Sequence, residues 1–498
     1  MAETVKIGWA EVDFTPNQRV KLCGQFAERI SEYVETPVTA TALALDSGEQ
    51  QAIMVSTDLV AADLNLLLAV REAIKPQIPD FDPEMLMISA IHTHTSIQFT
   101  ASNLPDAGGS LSVLRKYKPA EVTYVDNAPA DPDVMTDDEA LVYLTGKIAE
   151  AAVLAWKSRK AGMYANEFGR AAVGMCRRAV YDDGTAAMWG DTDTPNFDHL
   201  ESGNDSGLEL IYFFDEAGKL TGVLANLACP AQAVQHRKFI SSDFWGKAKI
   251  LMRKELGEDV YLLPLCAPAG CQCPVDLIRW VEPDSDLEDP NIVRVNPKKR
   301  KADPSMFDIQ GSWKAGRRIA HEIIDCFEEA KEEMRPLKCL VHKNEKMILP
   351  LRQVTITEKK EAEKALKEFF RDRKSDTINF YDSAAMHVYA GTIERYEYQQ
   401  KHQTFTIEAH CMKLDDIAFA TNPFELFLDY GNKIRAMSPA EQTILVQLCN
   451  GSFGYLPTIR AERGGHYSAY VSSGTTGHEG GDLYVRETLA TLKEMFGE

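Results

Sequence analysis

The sequence has no run of about 18 apolar residues, the length a helix needs to span a bilayer. Its opening, MAETVKIGWAEVDF, lacks the charged-then-apolar order of a secretory leader. Both absences set the expectation of a cytoplasmic protein. Positive charge is in deficit, with 54 Lys and Arg against 74 Asp and Glu, a formal net charge of −20. So acidic a chain repels phosphate backbones and anionic lipid, so nucleic acid and membranes are not expected partners. Its one basic run, Lys298-Lys299-Arg300-Lys301, reads as a solvated loop. Ten cysteines include no C-x-x-C pair, which argues against the usual iron–sulfur and zinc-thiolate spacings. Without export they read as reduced thiols, although Cys266, Cys271 and Cys273 crowd together. No internal repeat is visible.

What is present is ordinary for a globular chain: 498 residues, 45% hydrophobic and 26% charged. Strands are expected at 5–14, 84–91, 259–265, 338–349, 403–412 and 443–449. Hairpins are expected at 41–58, turning at Asp46–Glu49, and at 208–228, turning at Asp215–Lys219. Apolar spacing near 3.6 residues predicts helices over 62–76, 139–160, 311–334, 359–373 and 482–496, with Thr136-Asp137-Asp138 capping the second. Hairpins mixed with long helices predict an α/β fold, mixed sheets with flanking helices in a single large layered domain over 1–498. Segments 100–136 and 281–308 read as insertions.

The polar motifs sit where apolar strands end, the usual place for reacting groups in a sheet protein. SAIHTHTSIQF (89–99) sets His92 and His94 two apart, so on a strand both imidazoles face one side. They could be metal ligands, a ligand beside a proton carrier, or two satisfied polar side chains. Asn226–Gln232 (NLACPAQ), Ala269–Pro274 (AGCQCP), Asn422–Glu425 (NPFE) and Gly451–Thr458 (GSFGYLPT) follow other apolar runs. Singly, each has an ordinary reading. Cys229 is a small buried hydrophobe, Glu425 a first-turn helix carboxylate and Tyr455 a packed aromatic.

In order, these motifs resemble the catalytic domain of the neutral (non-lysosomal) ceramidase family. That family carries T-H-T-H-S, V-H-P-T-S followed by S-x-D-N-x-G, G-D-V-S-P-N, P-G-E-F-T-T and a late G-Y. The matches here are Ile91–His94, Ala228–Gln232, Ser241–Gly246, Ala269–Pro274, Asn422–Leu426 and Gly454-Tyr455, with Gly8–Pro16 and Ser56–Leu59 resembling the family's opening. The resemblance implies a zinc ion held by His92, Cys229 (where the family has its second histidine), Glu425 and Tyr455, activating water to cleave an amide. Zinc accepts a thiolate as it does imidazole, yet His236 could reach the metal instead. His94 would move protons, and Arg177 would contact substrate. Cys273 stands where the family has serine, and with Cys271 nearby it opens a covalent route in which Cys273 attacks.

The expected activity is therefore zinc-dependent hydrolysis of an amide or ester in a small, soluble, polar substrate. The chain ends 43 residues after Tyr455 (498 − 455), so the family's C-terminal immunoglobulin-like domain is not expected. The substitutions at Cys229, Cys271 and Cys273 motivate two alternatives: a relative that binds a polar ligand without turnover, or a metal-free cysteine hydrolase.

Overall fold

Two stacked sheets organise the chain in this computed structural model, which describes residues 4–100, 109–126, 131–279, 306–373, 378 and 380–497. The larger sheet contains β1 (Lys6–Asp13), β2 (Thr39–Asp46), β3 (Gln51–Thr57), β4 (Leu86–Ala90), β5 (Lys160–Cys176), β6 (Asp205–Asp215), β7 (Leu220–Leu227) and β8 (Tyr261–Cys266). Its order is β8-β7-β6-β5-β1-β2-β3-β4. The smaller comprises β9 (Leu340–Pro350), β10 (Thr404–Leu414), β11 (Ile417–Thr421) and β12 (Gln442–Val446), neighbours in that order. The helices are α1 (Leu64–Ile74), α2 (Gly109–Tyr117), α3 (Asp137–Lys157), α4 (Asp243–Leu256) and α5 (Asp308–Ala330), then α6 (Ile356–Asp372), α7 (Phe380–Gln399), α8 (Leu428–Met437), α9 (Ile459–Gly464) and α10 (His478–Phe496).

Side-chain size sorts the layers. Along β2, Ala40, Ala42 and Ala44 face α3, while Leu43 and Leu45 face the second sheet. The period of two puts small residues where a helix must come close and large ones between sheets. Gly8 on β1 marks the closest approach: a Cβ there would lie 2.1 Å from the Ala155 carbonyl oxygen. Trp9, Phe213, Leu224 and Leu263 meet Met412, Phe419 and Val446 in the inter-sheet core, each worth about 1.5–3 kcal/mol when buried. Helices α1 and α3 cover one half of the larger sheet, α4 and α5 the other, and α8 and α10 the outer face of the smaller. The mixed α/β, single-layered-domain expectation matches this helix–sheet–sheet–helix stack.

The five expected helices appear as α1, α3, α5, α6 and α10, and Thr136 caps α3 through a capping box with Glu139. Four longer helices were not expected. In α4, Lys247 and Lys249 are buried against Glu35 and Glu11, and charges on the core face hide the apolar stripe. Helix α7 is apolar on more than one side because it packs on α2 and α6 and also faces a cavity. The 17-residue β5 is interrupted by Gly162, Gly169 and Gly174, which broke its pattern in sequence. Of the two expected insertions, 109–126 packs as part of this α2–α6–α7 cap, and 281–305 lies outside the described residues. No helix among the described residues is long and apolar enough to cross a membrane.

Strands β3–β4, β7–β8 and β11–β12 pair in parallel. Each therefore ends beside its neighbour, and the loops that follow meet at one end of the stack.

Candidate active site

Backbone hydrogen bonds stitch those loops together. Ala231 N–H donates to Ile91 O at 3.1 Å, Asn450 N–H to Ile88 O at 2.9 Å, Gly270 N–H to Leu426 O at 2.8 Å and Glu425 N–H to Gly454 O at 2.9 Å. Thr93 and Thr95 each donate a hydroxyl to Ser241 O at 3.0 Å. The buried Arg29 guanidinium clamps the result, donating to the carbonyls of Cys23, His94, Gln235 and Arg237 at 2.5–2.8 Å. Glycine is required at two contacts. Gly24 has φ +96°, and a Cβ there would lie 2.5 Å from the His94 ring; a Cβ on Gly270 would lie 2.3 Å from Glu425 O.

His92 and His94 do not share a strand face. β4 stops at Ala90, and His92 turns in the left-handed region at φ 65°. That turn, rather than strand alternation, brings the two Nε2 atoms to 3.3 Å. His92 Nδ1 lies 2.6 Å from the Val60 carbonyl oxygen, which can only accept. Nδ1 therefore carries a hydrogen, and Nε2 faces Glu425 Oε2 at 3.4 Å.

His94 is fixed through Gln232. Arg177 Nη1 donates to Gln232 Oε1 at 3.0 Å, which orients the amide so that its Nε2 donates to His94 Nε2 at 2.8 Å. Burial, then His92, Arg29 and Arg177, holds His94 well below the usual imidazole range, so the ring is neutral. Arg177 also donates from Nη2 to Gly270 O at 3.1 Å and to Tyr455 Oη at 3.4 Å, and lies 3.8 Å from Glu425 Oε2. Burial raises the Glu425 carboxyl, but His92, Arg177 and a hydrogen bond from Tyr455 outweigh it and keep it ionised. Burial and Glu425 push the Tyr455 phenol well above its ordinary value, so it stays protonated and donates.

The structure thus brings His92, His94, Arg177, Glu425 and Tyr455 together from three loops and a strand end. It does not bring the cysteines. The Cys229 thiol turns to Pro230 O at 3.5 Å within an apolar cluster that includes Phe244 and Ala248, and burial raises it far above a thiolate's range. Cys273 bonds Val275 O at 3.3 Å among Val275, Leu277 and Phe307. Burial pushes its thiol up to about 12, which argues against a nucleophile. Cys271 is buried beside Ser202 at 3.3 Å. His236 does not fill the position either: it stacks on Phe307 with centroids 4.8 Å apart and lies 3.4 Å from Asp308. Among the described residues no group of three His, Cys, Asp or Glu side chains gathers as a metal site. The donors at hand are the imidazole of His92, the carboxylate of Glu425 and the phenol of Tyr455.

His94, Arg177, Gln232 and Tyr455 form the floor of a 730 Å³ cavity, with walls that include Trp189, Tyr467 and residues of α7. Sequence reasoning missed Gln232, Arg29, Gly24 and Trp189. Gln232 stood inside the NLACPAQ motif, but only its contacts on both sides distinguish it from any loop glutamine.

Fold comparison places the chain beside neutral ceramidases. The crystal structure of neutral ceramidase from Pseudomonas aeruginosa superposes with a TM-score of 0.66 at 13% identity, over 99% of this chain and 75% of that one. A ceramidase complexed with C2 gives 0.67 at 12% identity, over 99% and 76%. At such identity the likeness is one of fold. No family model matches the sequence, and no curated protein matches it.

Proposed function

We propose that this chain is a metal-assisted hydrolase that cleaves an amide in a small polar substrate. One observation carries the reading: His92 Nε2 faces the ionised Glu425 carboxylate 3.4 Å away, with His94 Nε2 beside them. A ring nitrogen and a carboxylate oxygen this close in a buried place hold a cation between them, either a proton or a metal ion. An imidazole nitrogen and a carboxylate oxygen at that spacing are donors that a zinc ion would accept. The Nδ1–H of His92 on a backbone carbonyl is also the usual outer support of a ligating imidazole.

His92, Glu425 and Tyr455 would hold the ion, three protein donors leaving the open coordination typical of catalytic rather than structural zinc. Bound there, a divalent cation supplies Lewis-acid polarisation of the scissile carbonyl. The chain's residues do the rest. Arg177 Nη2 places a hydrogen-bond donor where charge develops on the carbonyl oxygen. His94, neutral and open to the cavity, takes a proton from the attacking water and passes it to the departing nitrogen. The names of the fold neighbours, both ceramidases, support amide cleavage as the reaction class.

Elemental analysis tests this directly. Purified protein should hold about one divalent ion per chain, His92→Ala and Glu425→Ala should lose it, and Cys229→Ser should keep it. A metal-free wild-type protein that nevertheless binds a polar ligand at this floor would establish the binding-only reading instead.

A further inference from the structure

The walls above the floor carry information about the substrate that the reaction class does not. Aromatic rings approach from separate segments: Phe26 between β1 and β2, Trp189, Tyr389 on α7, and Tyr467 and Tyr470. Trp189 is held at φ 59°, an unusual backbone for so bulky a residue. Its indole lies 5.8 Å from the Arg177 guanidinium, and strain of this kind collects where a side chain must be aimed. Between the rings stand three amides, Gln25, Gln232 and Gln235. Each offers a donor and an acceptor with no net charge. Among the described residues the aliphatic lining is only Met188, Val388 and three alanines. No leucine or isoleucine among the described residues stands there to clad a long acyl chain, and the one carboxylate these residues place on the walls, Asp191, is exposed.

Flat rings interleaved with neutral donor–acceptor groups match a ligand that is itself a ring, apolar on its C–H faces and hydroxylated at its edge. The volume suits a ligand of ordinary small-molecule size. We infer that the amide cleaved here is borne on a hydroxyl-rich ring, an N-acylated amino sugar or its glycoside, with one sugar face on Trp189 and hydroxyls on the glutamine amides. This rests on the amide-hydrolase reading. In the reaction, water oxygen bonds to the acyl carbon, the C–N bond breaks, and the amino sugar leaves with a proton on nitrogen beside a free carboxylate.

Binding and turnover separate the two claims. On the full chain, tryptophan fluorescence and saturation-transfer NMR would be measured with N-acetylglucosamine, its β-1,4 disaccharide, an N-hexanoyl amino acid and a short-chain ceramide. The sugars should bind saturably and the others at least tenfold more weakly. Trp189→Ala should weaken the sugars at least tenfold; Tyr470→Ala, at a more exposed ring, provides a second variant that keeps the fold and should weaken them severalfold. Amide cleavage of the amino acid or the ceramide with no sugar binding would overturn this inference and leave the hydrolase reading intact. Sugar binding unchanged in both variants would also overturn it. Sugar binding lost in both variants, with no amide cleaved, would uphold the ring-bearing ligand and sink the hydrolase.

Discussion

Gln232 is the residue whose loss should reveal most about the site. Its amide is shared between Arg177 Nη1 at 3.0 Å and His94 Nε2 at 2.8 Å, and both partners are buried, at 1% and 8% exposure. In Gln232→Ala a buried guanidinium nitrogen and a buried ring nitrogen lose that partner together. Leaving a buried polar group unpaired costs about 1–3 kcal/mol, so the free energy of unfolding should fall by about 2–4 kcal/mol. Urea denaturation followed by fluorescence should show the midpoint drop with the slope unchanged. Gln232→Glu keeps the shape but can only accept from His94. A hydrogen must then sit on His94 Nε2, whether by a change of tautomer or by protonation. Nitrogen-15 NMR of the histidine rings would show that nitrogen change from acceptor type to N–H type. If Gln232→Ala unfolds within about 0.5 kcal/mol of the wild type, or if the glutamate variant leaves the His94 ring signals unchanged, the amide bridge does not set the ring's state.

Gly24→Ala should displace His94, since its Cβ would lie 2.5 Å from the ring at φ +96°; kcat/KM on an amide substrate should fall at least tenfold while metal content stays at the wild-type value. Arg178→Met should cost about 3–5 kcal/mol, because Arg178 meets Glu201 at 2.7 Å and both side chains are at most 2% exposed; adding Glu201→Leu should recover most of the lost urea midpoint. His342 is held at about 3 by burial and by His410, 2.9 Å away. Its folded pKa lies below its ordinary 6.5, so the unfolded chain takes up the extra proton, and this residue's contribution to stability, complete above pH 6.5, is lost as pH falls toward 3 by up to about 1.4 kcal/mol per unit. Urea midpoints from about pH 7 to 4 should therefore fall less steeply in His342→Gln than in the wild type, by about one proton's slope.

The legible parts of the sequence were those where one face of an element does one job. The hairpin at 41–58 and helix α3 show clean periods because each buries one side against one layer. Legibility failed where a face carries paired charge, as with Lys247 and Lys249 on α4, or where both sides are covered, as on α7. At the site the motifs at strand ends lie on loops that meet, since parallel pairing fixes where those ends must come together. They did not show direction. Cys229 and His236 occupy the same loop as Gln232, yet one thiol turns into the core and one ring stacks on Phe307. Which of several neighbouring side chains points inward depends on turns such as the left-handed His92, and these leave little trace in composition.

The departure at position 229 has a chemical consequence. A second imidazole would give a closed donor set, whereas a buried, protonated thiol turned to Pro230 contributes none. Arg177 meanwhile stands 3.8 Å from Glu425 and already offsets part of its charge. With no donor from Cys229 and a competing guanidinium, an ion of the kind proposed would be held weakly, with much of its coordination left free. Weaker holding and greater openness act in opposite directions on catalysis: the first lowers occupancy, and the second leaves room for both water and carbonyl. Supplying metal in excess separates them, because it restores occupancy without closing the open positions. Activity that rises with added divalent ion and then saturates identifies occupancy as the limit, whereas activity absent at full occupancy places the deficit in the residues themselves, above all the bridge from Arg177 through Gln232 to His94.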